Sequence, residues 1–261
     1  MQLDELPCFV LTIDPGDGLR RRNAENQLTG AGLRVRFVNG FHADDPGILE
    51  HYSAPLNLLA YRRSLSHGEI AVYCGHRLMW QKLLESGHSH ALLLEDDHEI
   101  VDQAGFRQAL ADALQHPRGW DILKFYDIGA KRIIRSSSIG RTRLAAFKYP
   151  SNGLQAYLVS RDAAARLLSR KKIFRPVDDD ISWNWEFGLS VWSVTPNPVR
   201  EASNLLGGSL LEDDRHVARR KRSLPRSVWG NCLQAYKQIR SLGQRRLLTG
   251  SPARDAHPSL R

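Results

Sequence analysis

Ala91-Leu92-Leu93-Leu94 is a continuous apolar run that stops abruptly at Glu95-Asp96-Asp97. A strand with one face in water alternates apolar and polar residues, whereas an unbroken run belongs to a strand covered on both faces, as in a sheet with helices on either side. The acids then stand at the carboxyl end of a central strand, where open α/β sheets gather their ligands. Adjacent carboxylates repel one another unless water or a cation separates them. The triplet is therefore either a site for a hard divalent ion, Mg²⁺ or Mn²⁺, with positions left for phosphate oxygens and water, or a solvated turn before the helix that begins near Gln103.

The flanking pattern agrees with a sheet of this kind. Pro7 to Ile13 is a β-rich run ending at Asp14 and the turn Pro15-Gly16-Asp17-Gly18; a helix over Leu19–Leu28 carries Arg20, Arg21 and Arg22, and Arg34–Val38 is a second strand. Residues 42–66 read as an irregular, mobile loop. From Glu69 to Glu85 the pattern is helical, with Tyr73, His76, Trp80 and Leu83/Leu84 on one face and Gly87 as its stop. A helix over 103–115, a strand over 121–126, a basic turn-rich stretch over 131–143, a strand over 154–159, a helix over 161–168 and a strand over 190–194 follow. The prediction is an α/β fold, a mostly parallel sheet flanked by helices.

At 261 residues the chain is long enough for one such domain and a tail. Its three cysteines, Cys8, Cys74 and Cys232, are too few and too widely spaced for a disulfide framework or a zinc site, and reduced, mostly buried thiols are expected. No apolar run approaches the ~20 residues of a spanning helix, and the start Met1-Gln2-Leu3-Asp4-Glu5-Leu6 has acids where a secretory signal is basic, which predicts a cytoplasmic protein.

The net charge of +9 is unevenly placed. Residues 215–261 hold twelve Lys/Arg against Asp255 alone, a charge of +11, which leaves residues 1–214 at −2. The expected division is a catalytic domain over 1–214 and a basic helical tail over 215–261. In the tail, Ser223 is a candidate N-cap, and Leu224, Val228, Trp229, Cys232, Leu233, Tyr236 and Ile239 recur at helical spacing. That stripe either docks on the domain or lies on an anionic membrane surface, held there by cations such as Lys237, Arg240, Arg245 and Arg246. Nucleic acid is not the expected partner, since the basic residues lack interleaved aromatics or a known motif.

Taken together, Glu69-Ile70-Ala71, His76, Trp80, Leu83-Leu84 and the run Ala91 to Asp97 resemble the central signature of the family 25 glycosyltransferases, the lipooligosaccharide-biosynthesis type. The similarity extends through Leu11-Thr12-Ile13-Asp14 with Arg20/Arg21, Phe37-Val38-Asn39-Gly40, Trp120-Asp121-Ile122-Leu123, Tyr157-Leu158-Val159-Ser160-Arg161 and Pro176-Val177-Asp178, roughly residues 7–212. The resemblance implies a GT-A-like fold, a UDP-hexose donor, often UDP-galactose, and dependence on Mn²⁺ or Mg²⁺. It also implies inverting transfer to a saccharide or glycolipid acceptor of lipooligosaccharide, lipopolysaccharide or capsule; with the cationic tail, the expected place is the inner face of the cytoplasmic membrane. Glu95, Asp96 and Asp97 take the place of its metal motif, and Asp14 with Arg20 and Arg21 that of its donor region. Thr12-Ile13-Asp14 stands where Asn-Leu-Asp is usual, and Gly75-His76 where Ser-His is common.

Inversion needs a base for the acceptor hydroxyl proton. Asp178 is the first candidate, within the cluster Asp178-Asp179-Asp180, and Glu69 and His76 are further ones; a capping turn and a hydrogen-bonded core histidine are the structural alternatives. Trp183, Trp185, Phe187 and Trp192 form either a sugar-stacking platform or core. Ser151-Asn152-Gly153 is either a turn or a donor contact through Asn152. Two other functions fit the acids and the basic tail: a metal-dependent phosphoesterase or nucleotidyltransferase, and a non-catalytic sugar- or nucleotide-binding adaptor.

Overall fold

A computed structural model describes residues 3–129, 132–208 and 224–241. In chain order the elements are β1 (Cys8–Thr12), α1 (Leu19–Gly30), β2 (Val35–Asn39), α2 (Ala54–Ala60), α3 (His67–Ser86), β3 (His90–Glu95), β4 (His98–Ile100), α4 (Gln103–Gln115), β5 (Ile122–Lys124), β6 (Ile133–Ile139), β7 (Thr142–Phe147), β8 (Ala156–Ser160), α5 (Arg161–Leu168), α6 (Val177–Ser182), β9 (Val191–Val194), β10 (Val199–Glu201) and α7 (Leu224–Arg240).

Eight strands form one sheet in the order β2-β1-β3-β8-β5-β9-β7-β6, and β4 pairs with β10 in a separate antiparallel ribbon. Six strands of the large sheet point one way; β8 and β7 run against them. The sheet is thus mostly parallel in direction, as predicted, with β8 inserted antiparallel between β3 and β5.

Ala91, Leu92, Leu93 and Leu94 are all fully buried. Successive side chains leave a strand on opposite faces, so Leu93 joins Phe9, Tyr157 and the α3 residues Tyr73 and Trp80 in one core, while Leu92 and Leu94 join Val10, Leu158 and the α4 residue Phe106 in the other. Helix α3 begins with a capping box between Ser66 and Glu69 and ends at Gly87 in the left-handed conformation. Gly75 lets it lie close on the sheet, because a Cβ there would come within 2.6 Å of the Leu11 methyls.

Two expectations for connecting segments are corrected. Residues 42–66 contain the 3₁₀ turn Pro46–His51 and α2, capped by Ser53. Their anchor is the buried Asn57, whose Nδ2 donates to Arg63 O at 3.0 Å and Phe174 O at 2.9 Å, so this segment is bound down rather than loose. The basic stretch near 131–143 is largely the β6–β7 hairpin, turned at Gly140 with φ 51° beside Asp112, which accepts from the amides of Arg141 and Thr142. Its Ser136-Ser137-Ser138 run, exposed at Ser136 and Ser138, has turn composition because β6 is an edge strand.

Helix α7 docks on the domain through its polar side. Arg226 donates to Asn57 Oδ1 at 2.6 Å and to Ser64 Oγ at 3.1 Å, and Trp229 Nε1 donates to Leu59 O at 2.8 Å. Lys237 is buried, bonded to Ser182 Oγ and 3.6 Å from Asp179 Oδ1. Part of the apolar stripe remains outside, with Val228 and Ile239 65% and 67% exposed, while Leu233 is half-buried and Tyr236 packs against Trp183. Ser223, the expected N-cap, lies outside the described residues, as do Arg245 and Arg246. Among the described residues no helix is long and apolar enough to cross a membrane.

Candidate active site

The parallel register of β1 and β3 sets Leu11 beside Glu95, which brings the ends of the two strands together. Thr12 Oγ1 donates to Asp96 Oδ2 at 2.5 Å, and Arg20, from the first turn of α1, donates through Nη1 to Asp96 Oδ1 at 2.9 Å and through Nη2 to Gly208 O at 2.6 Å. Burial raises the Asp96 pKa, against the hydrogen bonds from Thr12 and Arg20. Asp14 accepts from the Arg20 amide at 2.9 Å and so shapes the start of α1. Arg21 turns away, bonded to Asp14 O and Asn39 Oδ1 and lying 4.7 Å over the Phe37 ring.

Asp97 is treated differently. Its Oδ1 is buried and finds no hydrogen-bond donor among the described residues, and its Oδ2 lies 4.0 Å from Arg20 Nη1. Burial first, then the negative charges of Glu95 and Asp96, push its pKa up to about 8, against Arg20. Glu95 is held on both oxygens: His76 Nε2 lies 3.2 Å from Oε1, and Gln155 Nε2 donates to Oε2 at 3.5 Å. His76 is completely buried, and its Nδ1 meets the Tyr157 hydroxyl at 2.8 Å, which also accepts from Trp80 Nε1 at 3.0 Å.

Two clefts adjoin here. One has apolar walls including Leu11, Ile13, Phe41 and Ala71, with Thr12 and Arg20 at its polar end. The other is lined by Glu69, Ile128, Gly153, Gln155, Asp178 and Glu201. Val72, Glu95 and Asp97 belong to both.

Residues 16–182 match the family described as "Glycosyltransferase family 25 (LPS biosynthesis protein)". The chain belongs to glycosyltransferase family 25. A "Glycosyltransferase 25 family member" of Aedes aegypti is 28% identical over 208 residues, 68% of this chain and 33% of that protein. One of Anopheles gambiae is 27% identical over 159 residues, 52% of this chain and 26% of that protein. The chain thus spans about a third or less of the curated relatives it matches. Among solved structures, apo-UDP-glucose pyrophosphorylase aligns over 90% of this chain and 99% of its own with a TM-score of 0.41 and 8% identity. A glycosyltransferase involved in glycosylation of the major capsid of PBCV-1 covers 81% of this chain and 98% of its own at 0.34 and 10%.

With the family 25 motif located, its three acids separate into two roles. Asp96 lines only the first cleft and is bonded to Thr12 and Arg20, whereas Glu95 and Asp97 line both clefts. Among the described residues no three His, Cys, Asp or Glu side chains are grouped to hold a metal ion. The pair Glu95 and Asp97 nonetheless suits a hard cation: an orphaned carboxylate oxygen beside a second carboxylate is the kind of donor set that such an ion stabilises.

The remaining candidates divide in the same way. Asp178, in the first turn of α6, lines the second cleft, and its Oδ1 accepts from the Asp179 amide at 2.8 Å. Asp179 accepts from the Tyr61 hydroxyl at 2.6 Å, and Asp180 is buried against Arg170, Arg175 and Tyr73. Glu69 reaches the second cleft, but both of its oxygens bind Arg63, and it completes the α3 capping box. Asn152 contributes its carbonyl to Lys124 Nζ at 3.2 Å, and Gly153 after it forms the cleft wall.

The aromatic platform is core except for the half-buried Trp185. Trp192 is completely buried with Nε1 donating to Gly119 O at 3.2 Å, Trp183 lies 3.9 Å from the Arg175 guanidinium, Phe187 packs under Arg170, and Trp185 leans on Trp183. Three site residues escape sequence reasoning: Thr12, Gln155 and Glu201. Thr12 carried a visible signal, since it stands where the family has asparagine; Glu201 carried none, because the ribbon of β10 on β4 delivers it to the cleft.

Proposed function

We propose that the chain transfers a hexose, with galactose the first to test, from a UDP-sugar to a saccharide or glycolipid acceptor of lipooligosaccharide, lipopolysaccharide or capsule. Transfer takes place with inversion and depends on Mn²⁺ or Mg²⁺, at the cytoplasmic face of the inner membrane. The observation that supports this most is that two adjoining clefts share Glu95 and Asp97 in their walls. A transferase needs two substrates to reach one reacting centre from different sides, whereas a hydrolase needs one substrate and water.

The first cleft suits the donor. Its apolar walls fit a nucleobase, and Arg20 at the polar end supplies a guanidinium toward the diphosphate. Glu95 and Asp97 would hold the cation, which supplies positive charge against the negative charge that develops on the leaving phosphate. His76 and Gln155 keep the Glu95 carboxylate aimed. In the second cleft Asp178 accepts the proton of the acceptor hydroxyl as its oxygen bonds to the anomeric carbon, and the bond from that carbon to UDP breaks on the opposite face.

The test is UDP release from a panel of UDP-hexoses, with and without saccharide acceptor, in Mn²⁺ and then in EDTA, with the anomeric configuration of the product read by NMR. Acceptor-dependent release that EDTA abolishes, with inverted configuration, is expected. Release at the same rate without acceptor would overturn the reading in favour of a phosphoesterase, and binding of UDP with no turnover would favour the adaptor.

A further inference from the structure

Helix α7 turns its apolar side away from the protein. Val228, Cys232 and Ile239 recur along one stripe, while Arg226, Gly230, Lys237 and Ser241 occupy the opposite, docked side. The stripe does not stand alone. Leu56, Leu58 and Leu59 of α2 are exposed as well, Leu59 by 63%, and Trp229 joins the two helices through its Nε1 bond to Leu59 O at 2.8 Å. A Cβ on Gly230 would meet Arg62 Cβ at 2.9 Å, so the helices approach closely at this point. Scattered exposed leucines are ordinary, but exposed apolar side chains on two helices that meet at Trp229 and Leu59 mark an interaction surface.

Charge identifies the occupant. Arg62 and Arg240 are exposed beside the patch, and residues 215–261 carry twelve Lys/Arg against one acid. A second copy of this chain would bring the same excess of positive charge against itself. Nucleic acid would meet the cations but leave the leucines, valine and isoleucine wet. An anionic lipid surface satisfies both, with apolar side chains entering the acyl boundary and cations facing the head groups.

We infer that the exposed faces of α2 and α7 form one docking surface for an anionic lipid membrane. Lys237, which the sequence pattern offered to lipid, instead holds α7 on the domain together with Arg226, and the lipid-facing cations are others. The docked side of α7 and the end of α2 lie near the second cleft: Lys237 is 3.6 Å from Asp179, and Tyr61, which follows α2, donates to the same carboxylate, one residue from Asp178. A membrane-embedded acceptor would thereby be presented beside the residue that takes its proton. Lipid binding itself requires neither donor nor metal, so it stands or fails apart from the transfer reaction.

Flotation of the full chain with vesicles tests it, using phosphatidylcholine alone or phosphatidylcholine with about a third phosphatidylglycerol, near 0.1 M salt. The chain is expected to float with the anionic vesicles at least about tenfold better than with the neutral ones. Val228→Glu combined with Ile239→Glu is expected to weaken that binding at least about tenfold, with circular dichroism and thermal unfolding unchanged. Leu58→Glu with Leu59→Glu gives an independent second variant should the first fail to fold. Failure of the native chain to float, or undiminished flotation of folded variants, would overturn the inference. A native dimer that these substitutions convert to monomer would overturn it in favour of self-association.

Discussion

Arg20 holds Asp96 more closely than Asp97: its Nη1 lies 2.9 Å from Asp96 Oδ1 and 4.0 Å from Asp97 Oδ2. Substitution should separate the two acids. Asp97→Asn removes a crowded buried carboxylate, so the fold should keep or gain stability while transfer falls at least about a hundredfold. Asp96→Asn leaves Arg20 without its charged partner and should cost about 1–3 kcal/mol of stability. Thermal unfolding and a transfer assay on both variants check this, and normal turnover by Asp97→Asn would remove it from the site.

Lys124 is a second case of a buried charge with a task. Its Nζ, completely buried, donates to Asp127 Oδ1 at 3.0 Å, Ser151 O at 2.7 Å and Asn152 O at 3.2 Å, tying down the turn that leads to Gly153 in the cleft wall. Removing one partner of a buried ion pair is strongly destabilising. Lys124→Met should cost about 3–5 kcal/mol in urea unfolding and raise the acceptor KM more than it lowers kcat.

The three thiols should differ in reactivity. Burial pushes Cys74 up to about 11 and Cys8 higher still, whereas Cys232 is exposed on α7. Because the thiolate is the reacting species, one thiol should react promptly with an aromatic disulfide reagent at pH 8 in the native protein and three in denaturant. Two or more prompt thiols would mean that the sheet opens readily around Cys8 or α3 around Cys74.

His90 should contribute to acid lability. Burial against Trp120, with ring centres 5.0 Å apart, lowers its pKa below the usual 6.5, and Asp162 opposes this only in part. Between its native pKa and 6.5 the unfolded chain binds more protons than the folded one, so stability falls as pH drops through that window and recovers above it. Melting temperatures from pH 5 to 7 should show a shallower acid decline for His90→Gln than for the native protein; parallel curves would assign the decline to other groups.

Much of this was legible beforehand where local signals are strong. The helices Gln103–Gln115 and Arg161–Leu168 begin where Asp102 and Ser160 cap them and run as far as their apolar spacing does. The buried strand with acids at its end is where its composition placed it. Strand direction was not legible, because β8 is buried on both faces and its apolar run has no sense of polarity. Nor was the division between Asp96 and Asp97, which depends on Thr12 arriving from 84 residues away. The stripe on α7 was correctly found, but which side of that helix docks was decided by Asn57, Ser64 and Asp179, which no pattern within the helix reveals.

The ribbon of β4 and β10 sets a schedule for biosynthesis. Glu99 and Arg200 pair across it at a separation of 101 residues, the Ala202 amide donates to Asp97 O at 2.7 Å, and Gly208 O receives Arg20. At roughly 5–20 residues per second on a ribosome, about 5–20 seconds pass between emergence of the acidic triplet and of the segment that closes over it. Throughout that interval a nascent chain has the motif without Glu201 or the Gly208 latch, and a truncated product ending before Val199 would keep the family signature while lacking one wall of the place where a sugar nucleotide could settle.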